Sequence, residues 1–367
     1  MRFSRRKILK SICYGSALFA PSINFLGGCD ERIECDTSGG IRRGLVLPTD
    51  ASKDFSEKDY YVWGANVIRG EDGLFHLFYS RWRKTSPSGF YSWVTSSEIA
   101  HAVSDQPSGP FEYMDTALDN ASCNEKWDSK CKHNPNIHFF DGRYYLYYMG
   151  TTGSNDNYWE HRNNQQIGCA ISDSVSGPWT KLEAPLLRAG ASSLGGLMVS
   201  NPSVVKTFDD RYIMFYKGVV DNGTMKGGQV SILSAESRFP NGPFHPKNVR
   251  VFQSVGLTFP FEDPYVFYHG GKYWAVVKDM EGAIGKRKRS LLLFSSEDAI
   301  AWDAHTELCD RRIRYVNGSY NDFYLVERPH VWLSTEGNGF LTCAVSEKNP
   351  WKMRDAVTSI VSLPFVL

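Results

Sequence analysis

The chain has 367 residues, 42% hydrophobic and 14% aromatic, enough for a large buried core. Its formal charge is +1, but the first 28 residues hold five basic side chains and no acid, and without them 36 basic face 40 acidic side chains. That balance gives no support for a nucleic-acid partner, and Lys286-Arg287-Lys288-Arg289 reads as an exposed hairpin loop.

Residues 1–28 read as a targeting segment outside the fold. Ser4-Arg5-Arg6-Lys7-Ile8-Leu9-Lys10 is a twin-arginine pattern, followed by an apolar stretch from Ile12 to Phe25 that is short for a membrane span. Leu26-Gly27-Gly28-Cys29 is similar to a bacterial lipobox, whose cysteine takes the lipid. The expectation is a bacterial protein exported by the twin-arginine route. It would sit in the periplasm or at the cell surface, touching the membrane only through lipidated Cys29. The alternative is a plain signal peptide with a chance cysteine. Residues 29–59, polar and rich in Gly, Asp and Ser, read as tether and lead-in. Cys169 and Cys343 fall in apolar strand patterns as buried thiols, while Cys123 and Cys131 flank a polar loop at a spacing open to pairing.

From residue 60 to 367 the pattern is of strands. Unit one opens with Trp63-Gly64-Ala65-Asn66, turns at Glu71-Asp72-Gly73 and returns through Leu74 to Tyr79. Unit two has His133-Asn134-Pro135-Asn136, a turn at Asp141-Gly142, then Tyr144 to Tyr148. Ser200-Asn201-Pro202, Glu262-Asp263-Pro264 and Glu327-Arg328-Pro329 open units three to five, each followed by a turn and an aromatic or β-branched return strand. Prolines 135, 202, 264 and 329 stand 67, 62 and 65 residues apart, and Ala65 precedes the first by 70. A second hairpin closes the units at Phe111, Trp179, Phe244 and Trp302, spaced by 68, 65 and 58. Two motifs repeating in step predict five units of four antiparallel strands, an all-β five-bladed β-propeller. Residues 356–364 are expected to form the outer strand of unit five, and no helix longer than two turns is expected.

In a propeller the first strand of each blade lines the central channel. Proline lacks an N–H and belongs at a strand's first residue or edge, so the residues before it gather at one mouth. That ring reads Gly64, Asn134, Asn201, Asp263 and Arg328, preceded by Trp63, His133, Ser200, Glu262 and Glu327. Further along the inner strands come Asn66, Asn136 and His330, and neighbouring loops add Arg81, Trp82, Glu98, His101, Lys217, Lys278 and Asp279. Carboxylates, amides, cations and aromatic rings converging on one pocket suit a sugar, whose faces stack on rings and whose hydroxyls bind polar groups.

Phe261-Glu262-Asp263-Pro264, Ser200-Asn201-Pro202 and the Ser-Gly-Pro-Phe/Trp turns make residues 60–365 resemble the five-bladed propeller glycoside hydrolases of families 43, 32, 62, 68 and 117. The resemblance implies a glycosidase acting on an oligosaccharide or polysaccharide. Families 43 and 32 usually open blade one with an Asp-Pro or Asn-Asp-Pro that supplies a base or nucleophile, whereas this chain has Gly64-Ala65-Asn66.

Hydrolysis needs an acid and a second carboxylate as base or nucleophile. Asp263, Glu327 and Glu98 are the catalytic candidates; Glu262 alternates away and is expected at a blade interface. Trp63, Asn66, Arg81, His101, His133, Asn134, Asn201, Lys217, Lys278, Arg328 and His330 are the binding candidates. Either mouth histidine, His133 or His330, is open to the acid role proposed for a histidine in family 117. Arg81, Lys217, Lys278 and Arg328 suit a uronic or sulfated sugar. A calcium or sodium ion in the channel is admitted, although no ligand cluster marks one, and no cofactor is expected. Bulky loops at 86–97, 117–132 and 154–164 are expected to wall the mouth and favour exo action by a monomer. The alternatives are a glycoside phosphorylase and a carbohydrate-binding propeller without catalysis.

Overall fold

The computed structural model describes residues 45–120, 126–153, 157–252 and 254–367. The targeting segment, Cys29, most of the tether and Cys123 lie outside the described residues.

Blade one comprises β1 (Tyr60–Arg69), β2 (Phe75–Arg83), β3 (Glu98–Ser104) and β4 (Glu112–Leu118), hydrogen-bonded in that order. Blade two repeats it with β5 (Cys131–Phe140), β6 (Arg143–Thr151), β7 (Gln166–Ser172) and β8 (Thr180–Lys181). Blade three holds β9 (Met198–Lys206), β10 (Tyr212–Val219), β11 (Val230–Ser237) and β12 (His245–Arg250). Blade four holds β13 (Phe261–His269), β14 (Lys272–Asp279), β15 (Ser290–Ser296) and β16 (Asp303–Cys309). After the small hairpin β17 (Arg312–Arg314) and β18 (Tyr320–Asp322), blade five holds β19 (Leu325–Leu333), β20 (Asn338–Ser346) and β21 (Thr358–Val366). The inner strands β1, β5, β9, β13 and β19 pack side by side, and β19 returns to β1. Two short helices, α1 (Trp93–Ser96) and α2 (Tyr158–Asn163), are the α-helices among the described residues. The chain is thus the all-β five-bladed propeller that its two repeating motifs predict.

Blade five departs from expectation in its outer edge. β21 is its third strand, and residues 45–55 supply the fourth position. Leu47 N donates to Pro364 O at 2.9 Å, and Phe55 and Ile360 exchange backbone bonds of 2.9 and 2.8 Å. A strand edge left open would expose unpaired N–H and C=O groups. The lead-in covers that edge, and buried Phe55 meets Tyr79 of β2 with ring centroids 4.9 Å apart. First and last segments of the propeller are thereby pinned together.

One irregularity recurs in every inner strand. Pairing register breaks between Trp63 and Asn66, His133 and Asn136, Glu262 and Tyr265, and Glu327 and His330, and β9 breaks beside Phe215 and Lys217. Each break is a β-bulge whose key residue adopts φ between 50° and 55°: Gly64, Asn134, Asn201, Asp263 and Arg328. Four of these are not glycine, and a left-handed backbone costs each about 1–2 kcal/mol. Proline follows in those four, where the bulge leaves no ladder bond for it to break. Beyond the bulge, the strands are tied across blades: Val204 N donates to Asn136 Oδ1 and Val266 N to Ser203 Oγ, both at 2.9 Å.

Candidate active site

The five bulges meet at one end of the channel, on the floor of a cavity of about 300 Å³. Its wall is aromatic: Trp63, Trp82, Phe90, Trp93, Tyr158 and Trp351. Phe90 and Trp93 come from the 86–97 loop, Tyr158 and Arg162 from the 154–164 loop, so those two segments wall the mouth as expected. No described residue of 117–132 lines the cavity.

The floor is ionic. Asp263 is 3% exposed and holds Arg328 Nη1 at 2.8 Å and Asn201 Nδ2 at 2.8 Å through one oxygen. Its other oxygen accepts from Arg328 N at 3.2 Å. Burial pushes the Asp263 carboxyl up, but the charges of Arg328, Lys278 and Lys217 outweigh it and hold the group below the ordinary aspartate value. Glu327 moves the opposite way. Burial raises its carboxyl above the usual range; the adjacent Lys278 opposes this, and Asp263 and Glu262 reinforce it. Lys278 is 1% exposed and remains charged, because Glu327, Glu262 and Asp263 more than offset the effect of burial. Its ammonium bonds Glu327 Oε1 and lies 3.7 Å from Glu262 Oε2. Glu262 in turn accepts from Lys217 Nζ at 2.8 Å. Three carboxylates and three cations thus interlock across blades three, four and five.

Glu262 was expected at a blade interface, and its place on the floor is a correction. Alternation of side chains holds only along a regular strand. The bulge at Asp263 breaks that alternation, so Glu262 and Asp263 both line the cavity, as do Glu327 with Arg328 and His133 with Asn134. The repeated Xaa-Xaa-Pro pattern was the signal that could have shown it.

The mouth set expected in blade one is corrected too. Trp82 lines the cavity, so its strand neighbour Arg81 points to the other face of the blade. There Arg81 bonds Glu98 Oε1 and Glu57 Oε2, each at 2.9 Å, and neither Arg81 nor Glu98 reaches the cavity. His101 is also elsewhere, buried in blade one with its Nε2 2.8 Å from His76 Nδ1 and its ring stacked on Phe78. Asn66 and His330 lie past the bulge, deeper in the channel. Asn66 accepts from Asn136 Nδ2 at 2.9 Å, and His330 packs on Tyr265. Burial and the nearby His138 depress the His330 pKa to about 3, leaving it neutral.

Trp63, His133, Asn134, Asn201, Lys217, Lys278, Arg328, Asp263 and Glu327 are brought together. His133 sits against Trp93, with Nδ1 2.8 Å from Ser97 Oγ. Burial, then Arg328 and Lys217, push its pKa well below the ordinary imidazole value, so it is neutral. Asp279 lies outside the cavity but shapes its rim. Its buried carboxylate accepts from the backbone of Gly282, Ala283, Ile284 and Gly285 at 2.7–2.9 Å. That cradle folds the loop that carries Met280 and Arg289 to the cavity. Trp351 and Arg289 joined the site without a sequence signal.

A sequence profile of the glycosyl hydrolases family 32 N-terminal domain matches residues 128–332, more than half of the chain. The chain belongs to this family. The part matched to the family 32 domain carries Asn134, Asn201, Asp263, Glu327 and Arg328, and leaves Gly64 outside. Solved propellers share its fold. A family 117 glycoside hydrolase from the marine bacterium Zobellia galactanivorans superposes with a TM-score of 0.62 at 15% identity, over 88% of this chain and 90% of that one. The endo-arabinase of Bacteroides thetaiotaomicron gives 0.55 at 12%, over 88% and 98%. A Bombyx mori family 32 β-fructofuranosidase gives 0.56 at 16%, over 84% and 61%. Among curated proteins no sequence matches it.

Proposed function

We propose that this family 32 domain protein is a glycoside hydrolase that removes terminal sugars from an oligosaccharide or polysaccharide. The observation that carries the reading is a pair of carboxyl groups in one cavity, Asp263 and Glu327, pushed in opposite directions. Such divergence favours the proton on Glu327 over Asp263. Glu327 protonates the glycosidic oxygen as its bond to the anomeric carbon breaks. Asp263 stays ionised and faces the positive charge that develops on the sugar. Glu262 takes a proton from the water that attacks the anomeric carbon. The aromatic wall supplies stacking faces, and the two mouth loops favour a chain end over a chain interior.

Five cations, Arg162, Lys217, Lys278, Arg289 and Arg328, line the cavity against three carboxylates. That excess supports a substrate bearing a carboxylate or sulfate. A panel of oligosaccharides with and without uronic or sulfated sugars tests the reading: release of the anionic terminal sugars is expected, and cleavage of neutral chains alone would remove the anionic part.

A second reading has its own support. Neither Gly64 nor Asn134, the first two positions of the ring, is acidic. A propeller that binds sugar without cleaving it would show binding and no product, unchanged by Asp263→Asn. From the sequence we further infer export and lipid anchoring at Cys29. Palmitate labelling in cells is expected for the wild type and lost in Cys29→Ser.

A further inference from the structure

The aromatic wall of the cavity continues beyond its mouth. Phe90, Trp93, Tyr158 and Arg162 line the cavity itself. Two further rings stand outside them. Tyr91, next to Phe90 in the 86–97 loop, meets Tyr158 with ring centroids 5.4 Å apart and planes at 80°. Trp159 meets Tyr158 at 5.4 Å and 77°. Neither Tyr91 nor Trp159 lines the cavity, yet both touch a ring that does. They are open to solvent, 42% and 38% exposed.

The helix α2 sets the direction of Trp159. Successive side chains turn by about 100° around a helix, so residues four apart share a face. Tyr158 and Arg162 share the face on the cavity. His161 is buried, with its ring against Gly153, and so faces the blade. Trp159 lies nearly opposite His161 and about a quarter turn from Tyr158, which points it outward beside the mouth. The helix is held at both ends. Asn157 Oδ1 accepts from Trp159 N at 2.9 Å. Arg162 Nη1 donates to Lys226 O at 3.1 Å and Asn163 Nδ2 to Met225 O at 2.9 Å, fastening α2 to the loop of blade three. A ring fixed in place with an open surface gives up little freedom when a ligand covers it. Hydrophobic residues exposed singly are normal. These two differ because they extend a wall that already lines the cavity.

The proposed reaction supplies the occupant. A cavity of about 300 Å³ is at the small end of ligand pockets, which run ~300–1,000 Å³. A terminal sugar on the ionic floor fills it, and the rest of the chain leaves through the mouth and over the rim. We propose that Tyr91 and Trp159 form a second sugar subsite at that rim, stacking on the unit next to the terminal one. The subsite rests on the glycosidase reading and adds a preference to it, for chains over a terminal sugar with a small leaving group.

A matched series tests this: the methyl glycoside, disaccharide and trisaccharide of galacturonic acid, sulfated galactose, arabinose and fructose. Each is given to the full chain as wild type, Tyr91→Ala, Trp159→Ala and Trp159→Phe. On the sugar that is released, wild type is expected to prefer the trisaccharide to the methyl glycoside in kcat/KM. Trp159→Ala should lower that preference about tenfold, mainly through KM. Tyr91→Ala should act in the same direction, and Trp159→Phe, which keeps a stacking face, should retain most of the preference. A wild type without the preference overturns the proposal. So does an equal loss on methyl glycoside and trisaccharide, which would make the two rings props for their loops. If Trp159→Ala does not fold, Tyr91→Ala decides. Titration calorimetry with the trisaccharides separates the subsite from the glycosidase reading. Binding without product that weakens in Trp159→Ala would sink hydrolysis and leave the subsite standing. Hydrolysis whose length preference ignores both rings would sink the subsite alone. Neither binding nor product with any of the four sugars overturns both.

Discussion

At the scale of single residues, the proposed mechanism rests on two carboxyl groups shifted in opposite directions. Asp263 has a folded pKa below its unfolded value, near ~3.9. The stability of its pairing with Arg328 is therefore present above that value and is lost as pH falls through the lower folded one. Asp263→Asn leaves Arg328 buried without its counter-ion and should cost about 3–5 kcal/mol in urea unfolding, together with loss of turnover. Glu98→Gln is the contrasting case. It should leave turnover unchanged and cost about 1 kcal/mol, because Arg81 keeps Glu57 and Glu98 never reaches the cavity. Had Glu98 been an acid or base, the same variant would abolish product formation. The difference between these carboxylates was invisible in sequence: both stand in strand-end patterns, and only alternation past Trp82 turns Arg81 and Glu98 outward.

At the scale of elements, the bulge decides what faces the cavity. The repeated residue-proline step was legible, and it located Asn134, Asn201, Asp263 and Arg328 correctly on one ring. What it did not give was the left-handed backbone at each of them, which brings Glu262 onto the floor beside the expected Glu327 and His133. Asn66 and His330 were misplaced for the same reason, since the bulge ends the mouth and everything after it belongs to the channel. Loops are the second element-scale contribution. Asp279 organises four backbone donors, and a hydrogen bond to a charged group contributes about 1.5–3 kcal/mol net, non-additively within one cluster. Asp279→Ala should lower the melting temperature and raise KM more than it lowers kcat, since it loosens the loop bearing Arg289 without touching the floor. An unchanged KM would show that this rim does not meet substrate.

At the scale of the whole molecule, the propeller is closed by its lead-in. Residues 45–55 add to β21 of blade five, a pairing between segments some three hundred residues apart that no local sequence pattern announces. Asp54 stands at this seam, 3.5 Å from the Tyr315 hydroxyl. Burial pushes its pKa up to about 7, against the pull of that hydrogen bond and with some help from Asp50. A raised carboxyl favours the folded state fully below its unfolded pKa, and that preference is lost as pH rises toward 7. Asp54→Asn should flatten the loss of stability between roughly pH 4 and 7. It should gain on the order of 1–2 kcal/mol at pH 8, once the shift is discounted for partial solvent access. A variant with the wild-type pH slope would place the pH sensitivity of folding elsewhere.

Family membership and ring geometry meet in the claim that Glu327 delivers the proton that frees the terminal sugar. Its raised carboxyl means that the active, protonated fraction falls as pH rises, so turnover should decline on the alkaline side through a group above the ordinary glutamate range. The most direct measurement is the pH profile of sugar release, for wild type and Glu327→Gln, on a substrate found in the oligosaccharide panel. The variant should lose about 10²–10⁴-fold in kcat and the alkaline limb with it. Release that persists in Glu327→Gln with the wild-type profile would contradict the account.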